Sequence, residues 1–208
     1  MFRWDVLPKN MDKSFYPLPQ NAGYGDAEEC LSKLREFPNF DENKKTIVFS
    51  SGSSIFKGMV DAICKVSDST DEYNLVLVGI PLEDDGLDDI EGRNIIYAGY
   101  IDWINHLFKF ADLAVLTDDG VSLQEALCCE TPIVALTYVK WGRYQNMAGV
   151  FKGAIVESPV DDVYEIIKYA FDNYDSISKS ASKYGKLCLE ASDVLAEKMI
   201  KKVNSGSL

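Results

Sequence analysis

Six short runs of apolar, largely β-branched residues recur along the chain, and they constrain its fold more than any other feature. They are TIVFSS (46–51), NLVLVGI (74–80), NIIYAG (94–99), LAVLT (113–117), PIVALT (132–137) and AIVE (154–157). Each is apolar at consecutive positions, the pattern of a strand covered on both faces in a parallel sheet. Stripes at helical spacing fill the gaps. Ile55, Phe56, Met59, Val60, Ile63 and Cys64 form one, and Val163, Ile166, Ile167, Ala170, Phe171 and Tyr174 form another. Tyr184, Cys188, Ala191, Leu195 and Met199 predict one last helix. Strands alternating with helices, joined by right-handed crossovers, give an α/β, open, doubly wound parallel sheet of about six strands. In such sheets ligands bind beyond the carboxyl ends of the strands.

The first 44 residues lack this rhythm. Pro8, Pro17, Pro19, Gly23 and Gly25 punctuate an irregular aromatic stretch, and a short helix over about 26–37 ends at Pro38. An N-terminal arm or linker over 1–44 and a single sheet domain over 45–208 follow from this. The full length of 208 residues accommodates one domain with an appendage.

Charge excludes several classes of partner. Lys+Arg total 21 against Asp+Glu 33, a net charge of −12. Such a field repels a phosphate backbone, so nucleic acid is not an expected partner, nor is direct adhesion to an anionic membrane. A phosphate ligand would have to be held by local backbone dipoles and not by the overall charge. Five cysteines, Cys30, Cys64, Cys128, Cys129 and Cys188, have no metal-ligand spacing, and His106 is the one histidine. Reduced thiols, a cytoplasmic location and no resident metal site are expected. The opening MFRWDVLPKN lacks the apolar run of a signal peptide.

Candidate chemistry stands at three strand ends. After the first run, Ser51, Gly52 and Ser53 read either as a small-residue anion cradle at a helix start or as a tight capped turn. The loop matches neither a GxGxxG nor a Walker pattern. After the fourth run, Ser122 and Glu125 have the spacing of a capping box, while the same carboxylate suits a ribose diol. After the fifth, Lys140, Arg143, Gln145 and Asn146 gather basic and amide groups, with Lys140 and Arg143 able to face a diphosphate. His106 reads as an exposed helix residue.

The order of these features resembles a known family. A small-residue loop follows strand one, I-Y-A-G-Y-I-D precedes a helix, G-x-S-x-x-E-A is followed by E-T-P-I-V, and Asn146 stands shortly before G-A-I-V. This resembles the donor-binding C-terminal half of GT-B glycosyltransferases, a Rossmann-like domain. The pattern is MurG-like and is similar to the soluble subunit of the two-part eukaryotic N-acetylglucosamine transferase.

The resemblance implies a UDP-sugar donor, UDP-N-acetylglucosamine in the nearest pattern. It places Glu125 on the ribose and Gly120, Val121 and Ser122 against the diphosphate. It puts Tyr100, Ile101 and Trp103 on the base, and Asn146 and Gln145 near the sugar. It also implies an acceptor-binding half or partner subunit, through which any membrane association would run because acceptors are often lipid-linked. No catalytic residue is assigned, since the general base would come from that other half.

Two departures stand out. Asp118 and Asp119 replace a Gly-Gly or Ala-Gly pair, and the His-Gln-x-x-x-Asn run is incomplete in 141–146. Carboxylates beside a diphosphate repel it unless they turn away or hold a divalent cation. A non-catalytic scaffold that has lost donor binding is the alternative this raises. A sugar-nucleotide epimerase shares the architecture but needs further ionisable groups beside the single histidine.

Overall fold

In a computed structural model of the chain, Phe15, Tyr16, Leu18 and residues 23–82 and 86–205 are described. The strands are β1 (Lys45–Ile55), β2 (Tyr73–Pro81), β3 (Ile95–Gly99), β4 (Leu113–Thr117), β5 (Ile133–Leu136) and β6 (Ile155–Ser158). Every neighbouring pair is parallel, and the order is β3-β2-β1-β4-β5-β6. The chain winds outward from β1 in one direction and from β4 in the other. Connections therefore leave the sheet on opposite sides between these two strands and open a crevice at their carboxyl ends.

The helices are α1 (Ala27–Leu34), α2 (Lys57–Ser69), α3 (Ile104–Phe110), α4 (Ser122–Cys128), α5 (Met147–Val150), α6 (Val163–Asp172), α7 (Tyr174–Leu189) and α8 (Ala191–Asn204). They cover both faces. Ile47 and Phe49 of β1 enter a core shared with α2 and α6, while Val48 between them enters the core under α3, α4 and α7. Consecutive residues thus bury on opposite faces, which is why the strands read as unbroken apolar runs.

Two sequence expectations need correction. β1 does not end at Ser51: after an irregularity between Ser50 and Ser54 it pairs with β2 again, Ser54 opposite Ile80 and Ile55 opposite Pro81. Ile55 is therefore a strand residue and α2 begins only at Lys57. The single last helix is two, α7 and α8, divided at Glu190. Cys188 and Ala191 are buried as the stripe predicts, but Met199 is 61% exposed.

The short N-terminal helix is α1, capped by Asp26, whose carboxylate accepts the N–H groups of Glu28 and Glu29. Its Cys30 and Leu34 are fully buried. Phe15 stacks on Phe151 at 5.3 Å, and the Tyr16 N–H donates to Gln124 Oε1 at 3.0 Å. Pro8, Pro17 and Pro19 lie outside the described residues. All five cysteines are buried and none forms a disulfide. Among the described residues no helix is long and apolar enough to cross a membrane.

Candidate functional site

A cleft of about 430 Å³ opens where β1 and β4 diverge. Ser51 to Ser54 and Phe56 form one wall, Asp119 to Ser122 with Glu125 another, and Lys140 and Trp141 a third, with Leu82 at the edge. The first wall is the bulged end of β1. Ser51 Oγ donates to the Ser54 carbonyl at 2.7 Å and accepts the Phe56 N–H at 3.3 Å, so it holds the bulge shut. Gly52, at φ +97, takes a turn that a side chain would resist. Ser53 is exposed but lies four residues before α2, so it is not at a helix start as its sequence context predicts.

In the second wall the two aspartates part company. Asp118 is 1% exposed and its Oδ2 accepts the Gln145 N–H at 2.8 Å, away from the cleft. Asp119 faces the cleft, where its Oδ1 receives the Thr117 hydroxyl at 3.1 Å and lies 3.0 Å from the Lys140 ammonium. One carboxylate turns away and the other is neutralised. Among the described residues no group of three or more His, Cys, Asp or Glu side chains gathers to hold a metal ion.

Burial pushes the Asp118 carboxyl up from 3.8 to about 6, with the charges of Asp119 and Glu157 adding to it and the Gln145 N–H opposing. A raised carboxyl means the folded chain holds this proton more tightly than the unfolded chain. The cost of its charge is therefore complete above about pH 6 and absent below its ordinary 3.8. Asp118→Asn keeps an acceptor for Gln145. It should stabilise the chain by about 1–3 kcal/mol at pH 7.5, with the gain vanishing by about pH 4. Melting curves of both proteins across that range check this, and a gain independent of pH would disprove the cause.

Helix α4 begins at Ser122, with Val121 as its cap and no side-chain capping bond, so the capping box that the S-x-x-E spacing allows does not form. Glu125 consequently has another environment. Burial raises its carboxyl, and among the described residues that carboxylate has no hydrogen-bond or ion-pair partner.

The third wall is strained. Tyr138 and Trp141 have φ of 63 and 57, a left-handed backbone uncommon for bulky residues. Trp141 packs its ring edge-on to Phe56 at 5.1 Å yet stays 70% exposed, and Tyr138 stacks on Tyr144 at 5.6 Å. Glu157 anchors the loop by accepting from the Tyr144 hydroxyl at 2.8 Å and the Ala148 N–H at 3.2 Å.

Of the sequence candidates, Ser51, Gly52, Ser53, Gly120, Val121, Ser122 and Glu125 converge on this cleft. Tyr100, Ile101 and Trp103 do not line it. Trp103 packs on the core beneath the Lys33 ammonium, 5.7 Å from its ring centroid, because α1 covers α3. Arg143 is exposed outside the cleft. Gln145 gives its N–H to Asp118, and Asn146 caps α5 by accepting the Gly149 N–H at 2.7 Å. His106 is half-buried, its Nδ1 accepting the Asp26 N–H at 2.9 Å. Phe56, Leu82 and Trp141 are lining residues that no motif marked.

A doubly wound parallel sheet with its cleft at the switch point places the chain in the Rossmann-like α/β class. Within it the family is defined: the chain belongs to the glycosyl transferases group 1, whose model matches residues 32–187. It is 23% identical over 172 residues to the processive diacylglycerol beta-glucosyltransferase of Bacillus subtilis (strain 168), covering 78% of this chain and 45% of that one. Among solved structures it resembles Anabaena HepE in complex with UDP and glucose. The TM-score is 0.68 at 21% identity, over 94% of this chain and 56% of that one. It also resembles the UDP-GlcNAc 2-epimerase of Neisseria meningitidis bound to UDP-GlcNAc. There the TM-score is 0.61 at 15% identity, over 84% and 49% of the two chains. The chain spans about half the length of the relatives it matches.

Proposed function

We propose that the chain is the donor-binding half of a GT-B glycosyltransferase that takes a UDP-sugar, with UDP-N-acetylglucosamine as the donor. It would pass the sugar to an acceptor hydroxyl held by an acceptor-binding half or partner subunit. The observation that carries this reading is Glu125: a carboxylate on the cleft wall, raised by burial, with no partner among the described residues. The side chain is half-buried and its carboxylate keeps open acceptors on the cleft, to which a ribose diol supplies two donors. HepE and the Neisseria epimerase, whose structures hold UDP and UDP-GlcNAc, support a uridine nucleotide as the ligand.

In this reading Gly120, Val121 and Ser122 lie against the diphosphate, and Ser51 to Ser53 close its other side. Stabilising the departing diphosphate is the contribution such a half makes to transfer. Five cysteines without a disulfide support a cytoplasmic location, with a membrane reached only through the partner or a lipid-linked acceptor.

Titration calorimetry with UDP tests the reading. Glu125→Gln should keep the fold and weaken binding by about 1–3 kcal/mol, the cost of losing a charged hydrogen-bond partner. Unchanged affinity with a lowered melting temperature would reduce Glu125 to a structural role. The non-catalytic scaffold is favoured by one feature, Asp119 in the diphosphate wall. No heat from the unmodified chain at millimolar UDP would decide for it.

A further inference from the structure

Lys140 is the one basic residue among those lining the cleft. Its ammonium lies 3.9 Å from where a Cβ on Gly52 would stand and 3.8 Å from where one on Gly120 would stand. It therefore sits between the bulged end of β1 and the β4–α4 turn, on the line where the sheet changes direction. The Phe56 ring lies on another side, 5.7 Å from Nζ. The side chains of Lys140 and Asp119 are only 16% and 21% exposed, so their 3.0 Å ion pair is poorly screened by water. The other nearby cations are committed or remote. Lys57 holds Asp61 at 3.0 Å and Asp89 at 3.3 Å, and Arg143 points outside the cleft lining.

An ammonium has three donors, and Asp119 is the acceptor it faces among the described residues. A diphosphate in this cleft would meet the same Nζ, carrying more charge than the carboxylate and repelled by it. We infer that Lys140 is the group that binds the donor's diphosphate and that Asp119 is its built-in competitor, displaced when the diphosphate enters. The inference rests on the proposed UDP-sugar reading and adds to it a gate. Affinity for the phosphates is set by the contest for one ammonium, and uridine, which has no phosphate, is indifferent to it.

The ratio of UDP to uridine affinity isolates this contest. Asp119→Asn keeps an acceptor for the Thr117 hydroxyl and removes the competing charge. It should raise UDP affinity about tenfold with uridine unchanged, the scale of one like charge a few ångströms away at intermediate dielectric. Lys140→Met should lower the UDP-to-uridine ratio about tenfold by the same reasoning. Because that variant leaves Asp119 unpaired, the Asp119→Asn, Lys140→Met double variant repeats the comparison without the stranded charge. Its ratio should fall below that of Asp119→Asn alone. Uridine binding with a ratio that none of these variants moves would overturn the gate and leave the nucleotide reading intact. Failure of every variant and of the unmodified chain to bind uridine or UDP would overturn both.

Discussion

Gly185→Ala is expected to destabilise the chain by about 3 kcal/mol, at the upper end of the overpacking range. For a chain of this size that is a fall in melting temperature of about 6–12 °C. Gly185 lies where α7 crosses α4, and a Cβ there would stand 2.1 Å from the Leu127 carbonyl oxygen and 2.8 Å from its carbon. Both are backbone atoms, so no rotamer change relieves the clash and the helices must separate.

The sign is the test. In a helix interior Gly→Ala ordinarily gains about 1 kcal/mol from propensity, so a loose contact would make the variant more stable. Lys183→Ala, exposed on the same helix, should change little and serves as the control. Because α4 also carries Glu125, separation of the helices should weaken UDP binding as well, whereas a melting change with affinity intact would show that α4 keeps its place on the sheet.

The sheet was legible because each strand is buried on both faces, which forces apolar residues at consecutive positions. What failed was set at long range. Ser50 to Ser54 reads as a loop, and only the renewed pairing of Ser54 and Ile55 with Ile80 and Pro81 makes it strand. The division between α7 and α8 falls at Glu190, with no Pro or Gly to signal it and a helical stripe running through. At the site, the residues legible in sequence were those whose chemistry follows directly from a strand end, Gly120, Ser122 and Glu125 among them. Trp103 read as a platform for a base, yet it packs partly buried on the core with the α1 residue Lys33 over its ring. Phe56 read as part of a helical stripe and Trp141 gave no signal, because the two meet only when β1 and β5 flank β4. The aspartate pair read as one repulsive unit. In the folded chain its members face opposite ways, a distinction that depends on Gln145 and Lys140 and on no local pattern.

The largest effect expected concerns transfer itself. The described residues build one parallel sheet, and those among the first 44 pack against it through Phe15, Tyr16 and α1 without adding a strand. In the proposed reading the cleft at β1 and β4 takes the donor, and among the described residues no second sheet stands beside it. Holding both reactants in register is worth about 7–11 kcal/mol, which amounts to at least about five orders of magnitude in rate. The 208-residue chain alone should therefore bind UDP and show no measurable sugar transfer. Transfer should appear when an acceptor-binding half is supplied, whether fused or as a separate subunit. Transfer of labelled sugar, followed with the chain alone and with that half added, distinguishes the outcomes. Robust turnover by the chain alone on a soluble acceptor would overturn the half-site reading and place a complete active site within these residues. Turnover restored by the added half and abolished by Glu125→Gln would tie that gain to the cleft at the switch point.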